Sequence, residues 1–196
     1  MHSRTLTPLP LPLPLLAGLL ASALSAQAAP EAPDAPIAVM STALYNDQAN
    51  LREASDSTKS GLATSVLRAR LREQLREQIR PFEATDSAAT APAARELTGG
   101  IPCEVKVACA LAVALQQDAR WVVLTKVSKT SNLIWLLSAQ LIRVETGEIV
   151  LDDSTELKGD PDAMIRVGLR IFADRVIRTV RAGGVAKGGA TRRDAG

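Results

Sequence analysis

The sequence predicts an α/β (α+β) fold: a mixed sheet of about five strands covered by helices, in the order β-α-β-α-β-β-β-α. Three observations carry this. Apolar runs at residues 36–40, 121–127, 133–144 and 149–157 have the length or the two-residue alternation of strands. Segments 60–79 and 162–180 repeat apolar residues every three to four positions, as helices with one buried face do. With 46% apolar residues in 196, the chain can fill one core, which excludes collagen-like, coiled-coil and wholly disordered classes.

The elements follow in chain order. Residues 36–40 read as a first strand, and the polar stretch 41–60 as a long loop with room for one helical turn near Leu51. The clearest helix is 60–79, where Leu67, Leu71, Leu75 and Ile79 form one stripe and Arg68, Arg72, Arg76 and Arg80 another. Glu73 and Glu77 stand three residues before Arg76 and Arg80, so the arginine stripe reads as an ion-paired face, with an anion-binding ridge as the alternative. Pro81 stops the helix and a weak strand is expected at 82–85. Residues 86–100 read as a loop or one short helical turn, 104–117 as an Ala-rich helix, and 121–127 as a buried strand. In the strand at 133–144, Leu133, Trp135, Leu137, Ala139 and Leu141 share one parity. Gly147 supplies the turn into the last strand, and Asp160-Pro161 starts the final helix with a capping side chain and a proline at its first position.

The amino terminus reads as an export signal. Arg4 gives the positive start, residues 15–24 are an apolar core, and Ala26-Gln27-Ala28 fits a cleavage site, so the mature chain is expected to begin near Ala29. Pro8, Pro10, Pro12 and Pro14 leave only about ten apolar residues in a row, where a membrane span needs ~20. The expected organisation is a signal at 1–28, a leader at 29–35, one domain at 36–182 and a basic tail at 183–196. The only histidine, His2, would leave with the signal, and with it histidine-dependent nucleophile systems and His-ligated metal sites. No metal or cofactor is expected. The net charge of +2 and the lack of basic clusters interleaved with aromatics give no support to a nucleic-acid partner.

Cys103 and Cys109 are spaced C-x5-C, unlike the C-x-x-C of redox or zinc sites. In an oxidising compartment the pair reads as a structural disulfide, with free thiols or a redox-active pair as alternatives. A spacing of six puts two residues on opposite sides of one helix. A bridge therefore needs Cys103 in the preceding loop and Cys109 inside the helix.

The polar block Lys126, Ser128, Lys129, Thr130, Ser131 and Asn132 separates two strongly apolar runs. It is the candidate partner-binding surface; the bland reading is a solvated strand connection, with Ser131 and Asn132 bonding turn backbone. The residues from Trp121 through Lys126-Val127-Ser128-Lys129-Thr130-Ser131-Asn132 to Ile134, with Thr146-Gly147, resemble a family of small exported proteobacterial proteins of unknown function. Its members carry a Lys-Val-Ser-x-Leu-Ile block after a strand and a Cys ahead of the preceding helix. The sequence departs from that pattern at Lys129-Thr130-Ser131 and after Leu157. The strand and helix order is also similar to the TolB amino-terminal domain and to periplasmic lipoprotein domains, which implies a docking role rather than catalysis.

The expected function is therefore that of a periplasmic accessory protein binding another envelope protein or complex, with no catalytic residues. One alternative is a small-molecule carrier using Trp121 and Trp135. The other is a hydrolase pairing Ser128 with Lys126 or Lys129, as Ser-Lys dyads do elsewhere.

Overall fold

The computed structural model describes residues 35–46, 53, 55–131 and 134–183. The expected signal, nearly all of the leader and of the basic tail, and Asn132 lie outside them.

The sheet is mixed and five-stranded. β1 (Ile37–Val39) and β2 (Ala43–Asn46) both run parallel to β3 (Trp121–Lys129), registering with Trp121–Val123 and Lys126–Lys129 respectively. They act as one edge strand bent between residues 40 and 42. At the bend the Met40 N–H donates to the Val123 carbonyl at 3.1 Å, and the hydroxyls of Thr42 and Thr125 meet at 2.6 Å. β4 (Trp135–Arg143) pairs antiparallel with β3, and β5 (Ile149–Leu157) antiparallel with β4. Between them the chain turns at Gly147, whose φ of +70° is a left-handed conformation that suits glycine.

Helices cover the sheet from both sides. α1 (Asp56–Leu75) and α5 (Pro161–Arg181) pack on one face, against Trp121, Val123, Val127, Trp135, Leu137 and Leu141. Gly168 of α5 permits a close approach to β4: a Cβ there would stand 3.1 Å from the Leu137 side chain. α2 (Phe82–Thr90), α3 (Pro92–Thr98) and α4 (Val107–Gln116) pack on the other face. Their small residues Ala89, Ala94, Ala110 and Ala114 lie over Ala38, Met40, Val122, Leu124 and Ile142.

The α/β class stands, but the element order is β-β-α-α-α-α-β-β-β-α. The strand expected at 82–85 is the first turn of α2. Four residues are too few to reveal a period; extended to Thr90, the buried residues Phe82, Thr85 and Ala89 recur at helical spacing. The expected loop at 86–100 holds the rest of α2 and all of α3, and the loop at 41–60 contains β2 and the start of α1. β2 buries only Ala43, so it lacks the apolar signal of a strand; it forms because β3 runs on beyond β1 and offers a second pairing site. α1 ends at Leu75 because Ile79 joins the sheet instead, bridging to Ile37, with the Arg80 N–H donating to the Ile37 carbonyl at 2.9 Å.

Candidate functional site

The helices on the α4 side cover only part of their face of the sheet. On β3 and β4 the even-numbered residues point that way. They are apolar and buried at one end, as Val122, Leu124 and Ile142, and polar at the other, as Lys126, Ser138 and Gln140. The register of β5 continues the polar half with Asp152 beside Gln140, Ser154 beside Ser138 and Glu156 beside Leu136; all three are exposed.

A groove of about 300 Å³ runs along the boundary between the two halves. Lys126, Ser138, Gln140 and Asp152 form its sheet side, and Glu104 and Val107 its wall. The Gln140 amide donates to Asp152 Oδ1 at 3.2 Å. Lys126 Nζ lies 5.5 Å from the ring of Tyr45, which is itself exposed. The wall is held by the disulfide Cys103–Cys109, with a Cα–Cα distance of 5.3 Å. Cys103 begins one turn of 3₁₀ helix (Cys103–Val105) and Cys109 lies in α4, the placement the spacing requires.

The sequence-predicted block does not form one surface. Lys126 and Ser128 project to the open side, Lys126 partly exposed and Ser128 buried under the edge. Lys129 projects to the opposite face, where only 2% of its side chain is exposed. There its Nζ lies 3.0 and 3.2 Å from the two carboxylate oxygens of Asp56, 3.4 Å from Glu53 Oε1 and 5.4 Å from the Trp135 ring centre. Thr130 and Ser131 build the turn: the Thr130 N–H and hydroxyl both donate to the Ile134 carbonyl, and Ser131 Oγ accepts from the Ile134 N–H at 3.1 Å.

Electrostatics follow these pairings. Burial pulls the Lys129 ammonium down, but the hydrogen bond and charge of Asp56, with those of Glu53, outweigh it and hold the group above its ordinary value. That is the opposite of what a Ser-Lys base needs, and Lys129 and Ser128 lie on opposite faces. Burial pushes the Asp56 carboxyl up, but the Glu53 N–H and then Lys129 carry it below its usual range.

Of the arginine stripe, Arg68 and Arg72 lie on α1 and brace its neighbour, whereas Arg76 and Arg80 lie past the helix end. Arg68 binds Asp86 with two nitrogens, one at 2.8 Å, and also donates to the Val39 carbonyl. Arg68 and Arg72 lie over the Phe82 ring at 4.5 and 4.4 Å. Glu73, expected to answer Arg76, pairs with Arg70. These contacts fasten α2 to α1. Trp121 is fully buried in the core and Trp135 nearly so, and neither lines the groove.

The sequence reading missed Tyr45, Glu104, Ser138 and Gln140. The signal was present in the strand at 133–144, whose second parity carries Ser138 and Gln140 where a covered face would carry apolar residues. Among the described residues no group of three His, Cys, Asp or Glu side chains could hold a metal ion, and no helix is long and apolar enough to cross a membrane.

Comparison with solved structures returns similar folds at low identity. The LpoB C-terminal domain from Salmonella enterica is 18% identical, covering 64% of this chain and 84% of that one, with a TM-score of 0.42. The PelC dodecamer from Paraburkholderia phytofirmans is 20% identical, covering 81% and 93%, with a TM-score of 0.36. TolB from Acinetobacter baumannii is 14% identical, covering 76% of this chain and 29% of that one, with a TM-score of 0.42. No curated protein matches the sequence. A family model does, over residues 35–177: the chain belongs to the family DUF3280, described as a protein of unknown function (DUF2380).

Proposed function

We propose that this chain is an exported accessory protein of the cell envelope, working in the periplasm by binding another envelope protein through the open half of its sheet. The observation that carries the reading is that uncovered half. Helices bury every other large face of the sheet, yet here Lys126, Ser138, Gln140 and Asp152 stand in a groove beside exposed Tyr45. Mixed charges, an amide, a hydroxyl and one aromatic ring give directional hydrogen bonds and a flat contact, the composition of a protein-binding rim rather than of a reaction centre. The Cys103–Cys109 bridge supports an oxidising compartment, as does the export signal read at residues 1–28. Of the block at 126–132, Lys126 belongs to this surface, and Ser128 points to the same side but is buried. Lys129, Thr130 and Ser131 act behind it, fixing the strand end that carries them.

The test is site-specific photo-crosslinking in intact cells. A photoreactive residue at Lys126 or Gln140 should give a discrete protein adduct, and the same residue at exposed Ser65 on α1 should give none. Absence of adducts from both open-face positions would overturn the reading. Amino-terminal sequencing of the native protein tests the compartment: a start near Ala29 is expected, and a start at Met1 contradicts export.

A further inference from the structure

β5 closes one side of the sheet. It bonds to β4, and among the described residues no strand pairs with its other edge. An unpaired edge presents a row of free N–H and C=O groups, and natural edges are usually blunted by charged side chains, proline, bulges or a short length. β5 is nine residues long and has no proline; its charged side chains Asp152, Asp153 and Glu156 are all acidic, which guards the edge against another acidic strand and leaves it open to a basic one.

Different chemistry flanks this edge on its two sides. Toward α5, a mostly apolar groove of about 190 Å³ is lined by Leu137, Met164 and Phe172, with Val167 and Ile171 on its lip; the β5 side chains Thr155 and Asp153 also line it, Asp153 being neutralised by Arg175. Val167 and Ile171 are 55% and 58% exposed, unusual for large apolar side chains lying so close together. Toward the open half, Asp152 and Glu156 are exposed at alternate positions of one parity. Asp152 takes a hydrogen bond from neutral Gln140, and Glu156 meets exposed Lys158 at 3.5 Å.

A strand added to β5 would send alternate side chains to these two sides. We propose that β5 receives an extended segment of a partner protein by strand addition, and that this segment alternates apolar and basic side chains. Its apolar set fills the groove beside Val167 and Ile171; its basic set meets Asp152 and Glu156. The proposal rests on the docking reading above and gives that docking a mode. A second copy of β5 is the poorer occupant. An antiparallel β5–β5 pair centred on Ser154 would set Asp152 of each copy opposite Glu156 of the other, and one centred on Asp153 would oppose the two Asp153 carboxylates; like charges across a strand pair destabilise it.

A labelled seven-residue peptide alternating Lys and Val, titrated against the purified chain by fluorescence anisotropy, tests the mode. Saturable binding is expected. Methylating alternate backbone nitrogens of the peptide should abolish it, and replacing its Lys by Glu should weaken it at least tenfold. Ile171→Asp should also cost at least tenfold, and because Ile171 is on the surface this variant should stay folded; an unchanged circular dichroism spectrum checks that. Binding that survives both N-methylation and Ile171→Asp overturns strand addition. In cells, a photoreactive residue at Ser154 of β5 separates this proposal from the reading beneath it. Adducts at Lys126 and none at Ser154 overturn strand addition and leave docking standing, whereas adducts at neither overturn both. A Ser154 adduct to a second copy of this chain overturns the partner assigned here.

Discussion

Under α1 and α5 the odd-numbered residues are buried from Trp121 to Lys129 on β3 and from Trp135 to Leu141 on β4, whereas on the α4 side the even-numbered residues are buried at one end and turn polar and more open at the other. Polarity is structural on the first face and available at the surface on the second. On the covered face the buried hydroxyl and ammonium have partners: Thr125 meets Thr42, and Lys129 meets Asp56 and Glu53. Burial demands this, since an unpaired charge or hydroxyl in the core costs several times what its paired form contributes. On the open half Lys126, Ser138 and Asp152 stand at the surface, where no such demand applies.

The comparison breaks if the two faces respond alike to substitution. Phe172→Ala removes a ring of α5 that is 1% exposed and packs on the covered face. It should lower unfolding free energy by ~3–5 kcal/mol. Urea denaturation measures this, and a loss below 1 kcal/mol would mean that α5 is not packed as described. The disulfide comes next. Replacing Cys103 and Cys109 together by Ser should cost ~2 kcal/mol, because the closed loop is short and the entropy it removes from the unfolded chain is modest. Iodoacetamide labelling of the unreduced protein should find no free thiol.

Much of this contrast was legible in the sequence and part was not. The stripe Leu67, Leu71, Leu75, the odd parity of Trp135 to Leu141 and the Asp160-Pro161 start of α5 each repeat their period for long enough to fix the element and its buried side. α2, α3 and β2 did not. α2 and α3 are short and rich in Ala and Thr, so their buried residues carry little apolar contrast, and β2 depends on a strand eighty residues later in the chain. The candidate site was half legible for a related reason. A run of polar residues at 126–131 looks continuous along the chain, but a strand sends neighbours to opposite faces. Lys126 therefore went to the surface and Lys129 into an ion pair with Asp56, a partner that sequence distance concealed.

That ion pair gives the covered face a pH signature. Asp56 has its carboxyl held below the ordinary 3.8: burial raises it, but the Glu53 N–H and Lys129 overcome that. Asp86 is shifted the same way, with burial opposed by Arg68 and Ser41. A carboxyl depressed on folding contributes stability above its unfolded value, and that stability is lost as pH falls through the folded value. Lys129, held above the ordinary 10.5, contributes below that value and loses the contribution as pH rises through the folded one. Thermal melts should therefore weaken below about pH 4 and again above about pH 10. Asp56→Asn should lower stability at pH 7 and flatten the acid limb; an acid limb of unchanged slope would mean that the pair does not form.

The smallest effect on stability is expected on the open half, and it is the most telling. Gln140→Ala and Ser138→Ala remove polar side chains that are only partly buried. Changes at such positions stay within about 0.5 kcal/mol. If the polar half exists for a partner, these two substitutions should leave the melting curve in place while reducing the adduct formed by a photoreactive residue at Lys126. A pair of variants that melts early and still crosslinks normally would reverse the assignment, making the open half a structural surface and sending the search for the docking site elsewhere on the molecule. The contrast between Phe172 and Gln140 thus sets stability against binding on the two faces of one sheet, and each substitution serves as the other's control.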